Sequence, residues 1–171
     1  MRLRAALLAS VAVVGREEPG IQSPAAAKPV AEFVRLVHCG PGWRLVVYES
    51  GDARQQVDDT CLRPRSYARE YKFRANELDA LRAAIVKARF NELPDEVTAD
   101  TVVPDEDAFV ISVWNGETAK RVLARGLDRA TSDEARRFRM VWDTTARVVP
   151  DPGADPPQDM EASRGACGMR R

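Results

Sequence analysis

Apolar and polar positions change period repeatedly between residues 30 and 149. Glu32 to His38 (E-F-V-R-L-V-H) and Arg44 to Ser50 (R-L-V-V-Y-E-S) are β-rich runs separated by Gly40-Pro41-Gly42. Runs of this kind bounded by Gly and Pro read as strands. Ser50-Gly51-Asp52 turns the chain into Ala53–Asp58, a polar run suited to a sheet edge. Arg69, Tyr71 and Phe73 alternate with smaller or charged residues, which predicts a fourth strand.

The period then becomes helical. Asn76 is placed to cap a helix start, and Asp79 adds negative charge near the positive end of the helix dipole. Leu78, Leu81, Ile85 and Ala88 form one apolar stripe, with Arg82, Lys87 and Arg89 toward water. Phe90 and Leu93 turn the exit against the core, and Pro94 stops the helix. Phe109–Trp114 and Glu117–Leu123 flank Asn115-Gly116, a strong signal for a hairpin with a type I′ turn. Thr131, followed by Glu134, predicts a capping box for a last helix with Ala135, Phe138, Val141, Trp142, Thr145 and Val148 on its buried stripe.

The expected fold is α+β, an antiparallel sheet covered on one face by two helices, in the order β-β-β-β-α-β-β-α. Its core is expected to include Val34, Leu36, Leu45, Val47, Leu78, Leu81, Ile85, Phe90, Leu93, Phe109, Ile111, Val113, Phe138, Val141 and Trp142. One domain over residues 30–149 fits the 171-residue length. Residues 150–171, with Pro150, Pro152, Pro156 and Pro157, lack apolar periodicity and are expected to form a disordered tail.

Composition narrows the function. The 26 basic residues balance 26 acidic ones, which removes the charge footprint of a dedicated nucleic-acid binder or a polybasic membrane protein. A single histidine and three cysteines exclude most zinc sites and any Ser-His-Asp arrangement not built on that imidazole. Phosphate-binding glycine loops, nucleophile elbows and His-Glu-x-x-His are all missing from the sequence. No cofactor is expected.

Met1-Arg2-Leu3-Arg4 followed by the small and apolar run Ala5 to Gly15 has the form of a signal peptide. That run is too short to span a membrane, which takes about 20 residues. Residues 1–27 are therefore expected to be a signal peptide and linker, and the protein to be periplasmic or extracellular. In an exported protein the economical pairing is Cys39–Cys61, leaving Cys167 odd. A loop of that size contributes about 3 kcal/mol on the chain-entropy account. A reactive thiol served by His38 is disfavoured, because strand neighbours point to opposite faces.

Three further clusters invite chemistry. Asp95, Glu96, Asp100, Asp105, Glu106 and Asp107 crowd one stretch with no base among them. Asp105 and Asp107 are its candidate metal ligands, although the spacing has no calcium-loop pattern. Arg63, Arg65, Arg69, Lys72 and Arg74 interleave with Tyr67, Tyr71 and Phe73, as in binders of single-stranded nucleic acid. A half-buried strand with aromatics inward and arginines outward gives the same string, and no nucleic-acid partner is expected. Trp43 after Gly40-Pro41-Gly42, and Leu93-Pro94 at the helix exit, are candidate contacts in two rigid loops.

The chain resembles a family of uncharacterised exported bacterial proteins known as a domain of unknown function. The likeness rests on Cys39-Gly40, Tyr48-Glu49-Ser50-Gly51, Glu77-Leu78-Asp79-Ala80-Leu81 through Ile85, Ala88-Arg89-Phe90-Asn91-Glu92-Leu93, Asp105–Asp107 and Phe109–Val113. Pro41-Gly42-Trp43 stands where the family pattern has a second cysteine and Pro-x-Tyr, and Cys61 is a local substitute. Ala88 to Pro94 also resembles the helix exit of small bacterial metalloprotease inhibitors. The functional expectation is a non-catalytic module that binds an unknown protein partner. Protease inhibition is the alternative, and a carboxylate- or metal-dependent hydrolase is a third reading.

Overall fold

The computed structural model describes residues 27–38, 41–59, 65–101 and 103–151. The expected leader, Cys39, Cys61, Cys167, Arg63 and the tail from residue 152 lie outside the described residues. The elements are β1 (Pro29–Leu36), β2 (Pro41–Tyr48), β3 (Asp52–Asp59), β4 (Arg65–Lys72), α1 (Ala75–Lys87), a 3-10 turn (Phe90–Glu92), β5 (Glu96–Thr98), β6 (Ala108–Asn115), β7 (Thr118–Arg125) and α2 (Asp133–Ala146). The strands form one sheet in the order β4-β3-β2-β1-β6-β7-β5, antiparallel except where β5 runs parallel to β7. No helix among the described residues is long and apolar enough to cross a membrane.

The α+β class stands, with two corrections. The expected order lacked β5, a three-residue strand inside the acidic stretch. Its one buried residue, Val97, is too little pattern to announce a strand, and pairing with β7 is what creates it. The coverage also differs from a sheet with one simple helix-covered face. Ala108, Val110 and Ser112 are buried on one side of β6, and Ile111 and Val113 on the other, so this central strand is enclosed on both sides. Nor is Ala53–Asp58 at an edge: β3 lies between β2 and β4, and β4 is the outer strand.

Register sorts the side chains. Phe33 pairs with Ile111 on one side and Leu45 on the other, which puts Ala31, Phe33 and Arg35 on the face packed by Trp142 of α2. Val34 and Leu36 were expected in the core but have the opposite parity; Val34 is half-buried and Leu36 is 50% exposed. Because strand side chains alternate, a shift of one position exchanges the two faces. Ile85 is half-buried at the margin of the core, and Ala84 takes the enclosed place beside Leu81.

Helix starts also shift. The cap of α1 is Arg74, whose backbone N–H donates to the Glu77 carboxylate at 2.7 Å. Glu77 reaches back from the third helical position, so the helix begins before Asn76. At α2 the Ser132 hydroxyl accepts from the Ala135 N–H at 3.1 Å, displacing Thr131 as the cap. The β6–β7 hairpin turns through Gly116-Glu117, with Asn115 paired to Thr118. Positive φ at Gly116, and not at Glu117, fits a type II′ turn instead of type I′.

Candidate functional site

The acidic stretch does not gather its carboxylates. Asp95 pairs with Lys120, Glu96 with Arg125, Glu106 with Arg129 and Asp107 with Arg35. Asp105 lies 3.3 Å from His38 Nδ1. The two candidate metal ligands thus face different bases, and among the described residues no group of three or more His, Cys, Asp and Glu side chains is assembled for a metal. Sequence shows the acids in a row; the bases that separate them come from β1, β7 and the segment after it.

Trp43 is not a loop residue. It lies in β2, 6% exposed, with its ring centroid 5.2 Å from that of Trp142. Its indole N–H donates to an Asp151 carboxylate oxygen at 2.6 Å, and Arg35 binds the other oxygen at 2.9 Å. Arg35 also holds Asp107 through Nε and a terminal nitrogen, at 3.0 and 2.7 Å. One guanidinium therefore ties the start of β6 to the segment that leaves α2. Asp151, within the stretch expected as tail, is exposed but held by these two contacts.

The helix exit is likewise structural. Phe90 and Leu93 are 1% and 2% exposed, while Pro94 is exposed. Arg137 of α2 donates to the Ala88 and Arg89 carbonyls at 2.6 and 2.7 Å. A cation on the last carbonyls of α1 satisfies free acceptors and opposes the dipole. Core packing thus accounts for Ala88, Phe90 and Leu93 of the inhibitor-like segment.

In β4 the expected division of aromatics and arginines fails. Tyr67, Arg69 and Tyr71 share one face by parity, and the Arg69 guanidinium lies 5.2 Å from the Tyr67 ring centroid. Aromatic and cation at this pair are stacked on each other. Ser66, Ala68, Glu70 and Lys72 occupy the other face and are exposed. Lys72 donates to Asp52 at 2.6 Å and the Ser50 hydroxyl donates at 2.7 Å. The Lys72 hydrogen bond, helped by that from Ser50, holds the Asp52 carboxyl below the usual carboxylate range.

One concavity gathers residues that no sequence spacing brings together. Phe109, Leu127 and Trp142 wall a groove of about 410 Å³, with Asp128, Arg139 and Asp143 along it. Next to Leu127 in sequence, Gly126 starts the turn into α2 at φ +60°. A Cβ there would lie 2.9 Å from Ala99 Cβ, so glycine alone allows this close approach. The parts come from β6, the turn after β7 and α2, too far apart in sequence for any spacing to reveal them. No protein-family description and no curated protein matches the chain.

Proposed function

We propose that the chain is an exported, non-catalytic module that binds another protein along the outer edge of β4. The observation that carries this reading is the position of β4: eight residues long, at the end of the sheet and paired with β3 alone. An outer strand presents unpaired main-chain donors and acceptors, and an extended segment of a partner adds to it as a further strand. The other margin, β5, has only three residues. Exposed Ser66 and Ala68 are small, leaving room beside the edge.

The reading of export rests on the N-terminal pattern, and the Cys39–Cys61 bridge on the pairing expected of an exported chain with these cysteines. The intact mass of protein from the exported fraction checks both points. A lost leader and two missing thiol hydrogens support them; a full-length, fully reduced chain overturns them.

Edge binding is tested by photo-crosslinking in cells. A photoreactive side chain placed at Ser66, Ala68 or Glu70 is expected to capture one discrete partner, whereas the same group at exposed Arg82 of α1 captures none. Equal capture from both places, or none from β4, would falsify the assignment.

A further inference from the structure

We infer that the groove beside Trp142 is a docking pocket for an arginine side chain presented by a basic segment of a partner protein. The inference is separate from the β4 edge and concerns a surface on the α2 side of the molecule. It begins with the walls. Trp142 and Phe109 are only half-buried although they belong to a cluster of aromatic rings; their centroids lie 4.9 Å apart at an interplanar angle of 80°. Leu127 completes an apolar surface next to them. A volume of about 410 Å³ falls in the range of sites that enclose a small ligand.

Charge complementarity chooses the occupant. Glu106 and Asp107 also reach the groove, but each is engaged by an arginine of the chain, Arg129 and Arg35. Asp128 and Asp143 are exposed and take part in no ion pair among the described residues. Arg139 is pinned in place, donating to the carbonyls of Leu127 and Ala130. Its guanidinium is spent on the turn that shapes the groove and leaves the two carboxylates unmatched. An apolar aromatic wall with carboxylates at its rim suits a cation with a flat, weakly hydrated head. Guanidinium stacks on indole and donates to carboxylates along its edge, while an ammonium is more strongly hydrated and has no plane to stack.

The α2 sequence explains how the pieces meet. Trp142 and Asp143 lie three and four positions after Arg139, so each neighbours it on the helix surface. Trp142 is also packed against Phe138, stacked at 14° with centroids 6.4 Å apart, and against Trp43. The ring is therefore fixed before any ligand arrives, which lowers the entropic cost of binding.

The test uses the full chain and a blocked Ala-Arg-Ala tripeptide, followed through the Trp142 indole N–H resonance. Saturable shifts at millimolar peptide are expected, with matched citrulline and lysine peptides binding more weakly. Asp128→Asn with Asp143→Asn is expected to weaken the arginine peptide by about tenfold or more, because two charge-assisted contacts are lost. Both positions are exposed, and an unchanged melting curve verifies that the variant is folded. Absence of saturable shifts, an equal response to citrulline or lysine, or undiminished binding by the double variant overturns the inference. Loss of β4 crosslinking leaves it standing, since the two surfaces are read separately.

Discussion

The centre of the sheet and its β3–β4 wing are built on one continuous row of side chains but close it in different ways. Reading across the strands, Val122, Ile111, Phe33 and Leu45 are apolar and fully buried; the next two places are Gln55 and Arg69. Over the centre lies α2, with Phe138 buried and Trp142 touching Phe33, Trp43 and Phe109. In the wing, Gln55 is also 0% exposed, yet its amide nitrogen has no hydrogen-bond partner among the described residues. Its oxygen accepts from the Tyr71 hydroxyl at 3.1 Å. Burial is equal at Leu45 and Gln55, but its energetic value is not. An apolar side chain gains from leaving water, whereas a polar atom without a partner loses. The wing is thus the weaker half, and it carries the edge assigned to partner binding.

The largest effect should come from the centre. Phe138→Ala empties a closed aromatic site and is expected to cost about 3–5 kcal/mol in chemical denaturation. A loss below about 1 kcal/mol would mean that the centre is loosely packed and would end the contrast. Hydrogen exchange on the parent protein sharpens it: amides of β6 should outlast those of β4.

The next effect is opposite in sign. Gln55→Leu removes an amide that is only half satisfied and continues the apolar row. Tyr71, which is half-buried, loses the acceptor of its hydroxyl. Stability is expected to be unchanged or raised by about 1 kcal/mol. Destabilisation of that size would show that the amide is fully bonded in solution, and the wing would then be as well satisfied as the centre.

These two regions also show what was legible in the sequence. Helical periodicity located Leu78, Leu81, Phe138 and Val141 because an amphipathic helix repeats its signal over several turns. Strand parity was harder: in E-F-V-R-L-V-H both faces carry apolar residues, and only pairing with β2 and β6 chooses Phe33 over Val34. Caps moved by one or two positions because neighbouring polar residues compete for the same backbone N–H. Ala53–Asp58 looked like an edge because it is polar, but its alternate residues Ala53, Gln55 and Val57 are buried between β2 and β4. The acidic stretch concealed both β5 and the dispersal of its charges. Asp128 and Asp143 carried no signal because they meet Phe109 only in the folded chain.

The smallest effect lies at the wing's corner, where Gly51 joins the β2–β3 turn to the end of β4. Its carbonyl accepts from the Phe73 N–H at 2.8 Å, and its φ of +84° suits glycine. A Cβ there would sit 2.7 Å from the Phe73 oxygen. Beside this turn, Lys72 and Ser50 favour ionised Asp52, whose folded pKa is depressed. The sign follows from proton binding. Above the unfolded-state pKa the carboxyl is charged in both states, and the stabilising contribution is fully present. It is lost as pH falls through the depressed folded pKa, because the unfolded chain takes up the proton first. Asp52→Asn should therefore lower stability slightly at neutral pH, and the difference from the parent should shrink on the acid side of the usual carboxylate range. Both residues are exposed, so high salt should reduce the difference as well. Melting curves of the pair across pH and salt measure this directly. A gap that persists at acid pH and high salt would mean that Asp52 acts through the turn's hydrogen bonds and not through its charge, and the corner would then owe its order to hydrogen bonding beside Gly51 instead of to an ion pair.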